Sequence, residues 1–424
     1  MSDLLTFDLT PPGLHPDRCV NARHRQAGCT LCVDHCPVGA IQLAMGAQPL
    51  PILDAASCVG CGVCVRVCPT DAFSQGLHPE TRLVNLREEF PADEGLILVC
   101  PQHPAPARSS APGRYAIRHQ RCLAAFSSEQ LLVLSQDGGR NVWLADDACA
   151  ECPIGRLHEA IVAIADAANR LLTAFGRPAA IHLVSQAQAQ PHDVQVLDGA
   201  APAVSRRGFF RSLGKLAQQR MDESVEHLPK PLFSPGAPVD QRLPYQTTAS
   251  LQRLNQHLVE LAQQAVPDPA LLLDTAGLPW ATASVDVSAC SGCQLCARFC
   301  PTGALNYLWG EMDDGTVFNL TFHPALCLDC NICVAVCPED AISVEQRVRL
   351  GDLLTPERKL LMAGYLEPCQ RCGTLTCRRP EDDQTLCYVC RAPTMYRQRT
   401  QRAYLADLAR HLLEEPEPEN DDPS

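Results

Sequence analysis

The 424 residues suffice for two or three domains, and a hydrophobic content of 46% is ordinary for a soluble globular chain. A formal charge of −13 and an aromatic content of 5% exclude a basic, aromatic-laced nucleic-acid face, and no apolar run reaches the ~18 residues of a membrane helix. The anomaly is the 25 cysteines, most of them in tight groups ending Cys-Pro, which point to metal ligation rather than disulfides.

The opening MSDLLTFDLTPPG has neither the basic start nor the apolar core of a secretory signal, so a cytoplasmic location is expected. From Gly28, GCTLCVDHCPVGAI sets Cys29, Cys32 and Cys36 like the last three cysteines of a C-x2-C-x2-C-x3-C-P run. From Cys58, CVGCGVCVRVCPTDAF gives the complete run with Cys58, Cys61, Cys64 and Cys68. Only Cys19 stands upstream to serve as the missing first cysteine, and nine residues separate it from Cys29 where the run has two. A loop inserted between the first and second ligands is therefore expected. His24 and His35 lie near these cysteines, where they could tune a potential through hydrogen bonds or charge, as could His103 farther on. The proline after each fourth cysteine suits the first turn of a helix starting there, with Asp71 and Asp340 capping two such helices.

The middle segment reads differently. LILVC from Leu96 is a short apolar strand ending at Cys100, NVWLAD from Asn141 is a second, and AAIHLVS from Ala179 is a third, with helical spacing in GRLHEAIVAIADAANRLLTAFG from Gly155. Strand, helix, strand, helix, strand predicts a small α/β domain with a parallel sheet, and Cys100, Cys122, Cys149 and Cys152 fall at or near strand ends. DGGRN at Asp137 reads as a turn.

Residues 200–285 are rich in Pro, Gln and Ala. SRRGFFRSLGK from Ser205 resembles a twin-arginine export signal, but no apolar segment follows, so Arg206, Arg207, Arg211 and Lys215 read as a basic linker or docking helix. TASLQRLNQHLVELAQQA is an amphipathic helix expected to pack on its own chain. Two further complete runs follow, CSGCQLCARFCPTGAL with Cys290, Cys293, Cys296 and Cys300, and CLDCNICVAVCPEDAI with Cys327, Cys330, Cys333 and Cys337. The last group, CQRCGTLTC with CYVC, offers two C-x2-C knuckles, Cys369 and Cys372 with Cys387 and Cys390. That spacing fits a structural zinc ribbon, with a single iron or a further cluster as alternatives and Cys377 as a spare thiol. A helix with a basic start and an acidic tail are expected to close the chain.

A cubane iron–sulfur cluster needs four thiolates around one small object, and C-x2-C-x2-C wraps three of them and several N–H groups about it. Residues 16–75 and 286–345 resemble two bacterial-type ferredoxin modules, each with two 4Fe-4S clusters. In that family the fourth cysteine ligates the other cluster. The resemblance implies that Cys36 joins Cys58, Cys61 and Cys64, and Cys68 joins Cys19, Cys29 and Cys32. It likewise implies that Cys337 joins Cys290, Cys293 and Cys296, and Cys300 joins Cys327, Cys330 and Cys333. The middle segment is similar to the small (delta) iron–sulfur subunit of methyl-viologen-reducing hydrogenases, which holds a 2Fe-2S centre and passes electrons to a heterodisulfide reductase. It departs from that family where PQHP follows Cys100. Four thiolates suffice for one 2Fe-2S cluster, with a degenerate or zinc-filled site as the alternative.

The expected architecture is an α+β multidomain chain in which two ferredoxin-like dicluster modules flank a small α/β parallel-sheet domain, with a zinc-ribbon-like knuckle at the C-terminal side. The divisions are 1–85, 86–199, 200–285, 286–350 and 351–424. The chain lacks a dinucleotide fingerprint, a phosphate-binding P-loop, a C-x3-C-x2-C run and an adjacent Cys-Cys pair, so no catalytic residue is assigned. The primary expectation is a soluble electron-transfer protein with four 4Fe-4S clusters, one 2Fe-2S cluster and one zinc. It would relay electrons from a reduced donor to a partner oxidoreductase such as a molybdenum or tungsten enzyme, formate dehydrogenase or hydrogenase. The alternatives are a redox-sensing assembly or maturation factor that binds a client enzyme through the zinc ribbon and Arg206/Arg207, and an enzyme with a substrate site at the middle cysteines.

Overall fold

The structure is a computed structural model and describes residues 11–46, 48–74, 90–91, 93–103, 108–187, 192–198, 243, 245–246, 248–265, 267–313 and 315–392. The basic stretch from Ser205, the closing helix and the acidic tail lie outside the described residues.

The first cysteine-rich region has little regular structure. Ile41–Leu43 pairs antiparallel with Pro51–Leu53, and Gly13–Leu14 with Phe73–Ser74. Its core is small: Ala40, Ile41 and Phe73 pack with Cys32 and Cys36. So few apolar side chains do not stabilise a unit of this size without staples such as metal.

Among the described residues, the helices expected after the fourth cysteines are absent. Each short helix instead carries the third cysteine: Leu31–Asp34, Val63–Val67, Leu295–Phe299 and Ile332–Ala335. After Cys-Pro the chain turns into a strand because the third residue past the cysteine is left-handed in all four cases: Gly39, Asp71, Gly303 and Asp340, at φ 68°, 52°, 72° and 51°. Gly and Asp tolerate that conformation and a helix cannot continue through it. Asp71 does cap a helix, but a distant one. Its carboxylate accepts from the Ala249 N–H at 3.0 Å and the Ser250 hydroxyl at 3.4 Å.

The middle segment forms an all-parallel sheet of β1 (Leu96–Val99), β2 (Tyr115–Arg118), β3 (Val142–Leu144), β4 (Ile181–Leu183) and β5 (Gln195–Asp198), in the order β5-β2-β1-β3-β4. Leu96 lies opposite both Tyr115 and Val142. Between strands come α1 (Ser128–Leu134) and α2 (His158–Ala174). Ser127 and Gln130 form a reciprocal capping box at the start of α1, worth about 1 kcal/mol. Left-handed Gly176 ends α2, with the Arg177 N–H returning to the Leu172 carbonyl. The apolar stripe of α2, including Ile161, Ile164, Ala168 and Leu171, is buried against the sheet.

The third helix, α3 (Ala249–Gln264), is a scaffold rather than a free linker. Leu251, Leu254, Leu258 and Leu261 are buried at helical spacing in the same core as α1, α2 and Leu328, Val348 and Leu350 of the later segment. Burying each leucine is worth about 1.5–3 kcal/mol. His257 Nε2 meets Asp137 at 2.7 Å, and the Asn255 amide donates to the Ala325 carbonyl at 2.7 Å. The second pair of cysteine runs carries a larger sheet, β6 (Leu305–Met312), β7 (Gly315–Phe322), β8 (Lys359–Pro368) and β9 (Leu375–Thr376), antiparallel in chain order. It puts Tyr307, Phe318 and Leu320 under the cysteine loops.

Candidate metal centres

Each C-x-x-C opening needs a tight backbone loop. The residue before the second cysteine is left-handed in all four runs: Gly28, Gly60, Gly292 and Asp329, at φ 63°, 66°, 65° and 48°. At the other end, the left-handed residue after the fourth cysteine turns the next N–H back onto the sulfur. Ala40 donates to Cys36 Sγ at 3.2 Å, Ala72 to Cys68 Sγ at 3.2 Å and Ala341 to Cys337 Sγ at 3.3 Å. Amide donors favour an ionised sulfur.

The thiols converge in sets drawn from two runs each. Cys19 lies with Cys29, Cys32 and Cys68, and burial followed by repulsion from those neighbours pushes Cys32 to about 12. Cys61 and Cys64 lie with Cys58 and Cys36. Cys293 and Cys296 meet Cys290 and Cys337, while Cys330 and Cys333 meet Cys327 and Cys300. Burial holds the Cys330 and Cys296 thiols well above the usual range. Thiols raised in this way stay neutral when bare, and a cationic centre is what turns them into thiolates.

Cys290, Cys293, Cys296 and Cys337 line one pocket together with Ser291 and Tyr307. The Ser291 hydroxyl is buried with no hydrogen-bond partner, an orphan that suits a sulfur-bearing group beside it. The four thiolates, the N–H donors and this orphan together fit an iron–sulfur cluster.

The middle cysteines come together as well. Cys100, Cys122 and Cys149 follow the carboxyl ends of β1, β2 and β3, with Cys152 one turn on. Because β2 and β3 flank β1 on opposite sides, this is the topological switch point of the parallel sheet, where ligands bind in such folds. Burial, then Cys100 and other neighbours, raises Cys149 to about 12. Gly155 lets the loop fold back, since a Cβ there would run into the Cys149 carbonyl. One pocket is lined by the four cysteines with Gln102, His103 and His158. Gln102 Nε2 is buried without a partner. His103 and His158 each hold a carboxylate, Asp147 and Asp146, at 2.8 Å. The two imidazoles line the middle pocket, each held by its carboxylate, and no signal in the sequence marks a role for His158, because it opens an amphipathic helix.

Cys369, Cys372, Cys387 and Cys390 differ in scale. Among the described residues they are the one set of three or more His, Cys, Asp or Glu ligand atoms within 4.8 Å of one another. The Cys372 and Cys387 sulfurs are 3.6 Å apart. Four thiolates about 2.3 Å from one ion fit that spacing, whereas a cubane spreads its ligands wider. Hydrogen bonds, first from the Cys387 N–H, draw the Cys369 thiol down to about 6. The group is docked on the second pair of runs by Glu339, which pairs with Arg379 at 3.2 Å and Arg391 at 2.5 Å, both arginines also holding Asp382.

Arginines tie the sets together through carbonyls of the cysteine loops. Arg121 donates to the Gly60 carbonyl at 3.0 Å, Arg66 to Ala124 at 2.7 Å, and Arg156 to Cys36. Cys122 is thereby brought close to Cys61. Cys29 and Cys330 share one apolar cluster, Cys333 interacts with Cys296, and Tyr388, which follows Cys387, interacts with Cys293. Of the other histidines singled out, His24 packs edge-on against Phe299 at 4.7 Å and His35 bonds the Leu31 carbonyl at its own helix.

Residues 25–72 and 289–341 each match the 4Fe-4S dicluster domain family, the first match beginning after Cys19. The ferredoxin-type protein NapF of Haemophilus influenzae is 42% identical over 48 residues, which are 11% of this chain and 27% of that protein. The chain thus spans about a quarter of that relative's length. 4Fe-4S dicluster domains of ferredoxin type therefore occur twice in this chain, and domains of that type suggest electron transfer.

Proposed function

We propose that the chain is an electron relay in which five cysteine sets form one line, with the knuckle as a structural site docked at its end. The order is the middle set, then Cys36/Cys58/Cys61/Cys64, Cys19/Cys29/Cys32/Cys68, Cys300/Cys327/Cys330/Cys333 and Cys290/Cys293/Cys296/Cys337. The first and second dicluster modules would occupy 1–85 and 286–350, the α/β domain 86–199, the scaffold segment 200–285 and the knuckle region 351–424. In this reading each four-cysteine set drawn from the runs holds a 4Fe-4S cluster, the middle set a 2Fe-2S cluster and the knuckle a structural zinc. The clusters supply one-electron storage. The chain's own residues fix the thiolates, exclude water by burial and set potentials through amide donors and arginine charges.

The observation that carries the reading is that every cluster set has a neighbouring set, from Cys122 beside Cys61, through the shared apolar clusters of Cys32 with Cys64 and Cys29 with Cys330, to Cys333 beside Cys296. An isolated pair of ferredoxin domains has no need of that continuity. The middle set, at the switch point of the parallel sheet and lined by His103 and His158, is the proposed docking or exchange end, and the resemblance to a hydrogenase iron–sulfur subunit supports a redox protein there. The partners would be a reduced donor and an oxidoreductase, in the cytoplasm.

Adding one electron per chain to anaerobic protein and following the reduced centres spectroscopically tests this. A relay distributes the electron within the dead time among centres of both modules. Electrons that stay in the module first reduced would contradict it.

A further inference from the structure

The insertion between Cys19 and Cys29 is the joint between the two dicluster modules. Asn21, fully buried, grips Cys29 on both sides: its amide donates to the Cys29 carbonyl at 2.9 Å and its oxygen accepts the Cys29 N–H at 2.9 Å. It also donates to the Pro49 carbonyl. The nine residues between Cys19 and Cys29, seven more than the run has, therefore return the chain to the place a short loop would have left it. What they add projects outward. Val20, 1% exposed, packs with Ile332 and Val336 of the second module, among Leu295 and Phe299. His24 abuts the Phe299 ring. Arg23, 9% exposed, donates from Nε to the Phe299 carbonyl at 3.1 Å and from a terminal nitrogen to the Cys300 carbonyl at 3.4 Å.

We propose that this insertion docks the modules and that Arg23 is a positioning residue, holding the Cys300 loop against the first module and placing its positive charge beside the Cys300/Cys327/Cys330/Cys333 set. The inference rests on the relay reading for its purpose, though the docking stands on contacts alone. A guanidinium buried beside a cluster favours the reduced, more negative state, so it raises that centre's potential relative to its neighbour. Its planar fork also spans two carbonyls, which lysine cannot do in the same geometry.

The test uses the full, cluster-loaded chain and R23Q. The expected result is unchanged iron per chain, a midpoint of the one centre beside Arg23 shifted negative by about 59 mV, a tenfold change in electron sharing for a one-electron couple, and about tenfold faster hydrogen exchange in residues 295–299 and 20–29. The spin–spin interaction between the reduced centres of the two modules weakens alongside. If R23Q loses iron, R23K decides: a wild-type midpoint with faster exchange supports the proposal. Wild-type midpoint, exchange and spin interaction in R23Q, or wild-type exchange in R23K, overturns it. Failure of the relay reading is separate, because it appears in the unmutated protein as electrons confined to one module.

Discussion

Asp71 serves two structures at once, and substitution there separates them. Its backbone is left-handed at φ 52°, which aims the Ala72 N–H at Cys68 Sγ, and its carboxylate caps the first turn of α3. Asn tolerates the left-handed turn and caps as well as Asp, so D71N retains both functions. Gly keeps the turn, as Gly39 and Gly303 do at the equivalent places, but loses the cap, at a cost of about 1 kcal/mol. Ala loses the cap and adds about 1–2 kcal/mol of left-handed strain, for about 2–3 kcal/mol in all. Hydrogen exchange reads the two sites independently. D71G is expected to quicken exchange about fivefold at residues 249–252 alone, and D71A to do so there and about 5–30-fold at Ala72. Equal exchange at Ala72 in D71A and D71G would refute the backbone argument, and wild-type exchange in α3 of D71G would refute the cap. Burial raises the Asp71 pKa and the cap only partly offsets it, so D71N carries no penalty for losing the charge.

The joint between α3 and the middle domain depends on pH. Burial opposes the His257 charge, but the hydrogen bond and charge of Asp137, helped by Glu129 and Glu260, outweigh it and leave the pKa raised. A raised histidine stabilises fully below its unfolded value of about 6.5, and that stabilisation fades as pH rises through the folded value. Protection of α3, corrected for intrinsic exchange, is therefore expected to be greater at about pH 6 than at about pH 8.5, and H257Q is expected to remove the difference. A pH-independent α3 in the unmutated protein would contradict this. Glu339 pairs with two arginines from a largely buried position, so E339Q is expected to loosen the knuckle by about 2 kcal/mol, or about 30-fold faster metal removal by a chelator. Removal at the wild-type rate would show that Asp382 alone suffices.

The dicluster domains were legible because cysteine spacing there is imposed by chemistry rather than by the rest of the fold, and the family matches cover the runs from Cys29 to Cys68 and from Cys290 to Cys337. Cys19 could be found across its insertion, and the structure brings it beside Cys29, Cys32 and Cys68. The parallel sheet was legible from LILV, NVWL and AIHL. Tyr115–Arg118 and Gln195–Asp198 escaped notice, being short and polar-flanked and owing their strand character to pairing with β1 and with each other. The hairpin LNYLWGEMDDGTVFNLTF carried a usable signal, alternating apolar residues around Asp-Gly, that the cysteine spacing overshadowed. The helices assigned after the fourth cysteines were wrong because a left-handed Gly or Asp overrides proline's preference for a first turn. No local pattern announces that Asp71 caps a helix 178 residues away, or that Arg23 reaches the Cys300 loop. Those contacts are decided by how the modules pack, and that packing underlies the proposed line of centres.

The central claim is best tested by counting metal on chain purified without oxygen. Iron, acid-labile sulfide and zinc should come to about 18 iron with matching sulfide and about one zinc per chain, from four cubanes, a binuclear middle centre and the knuckle. Iron near about eight, with the fold intact, would mean that one module holds no clusters, and the continuous relay would be contradicted.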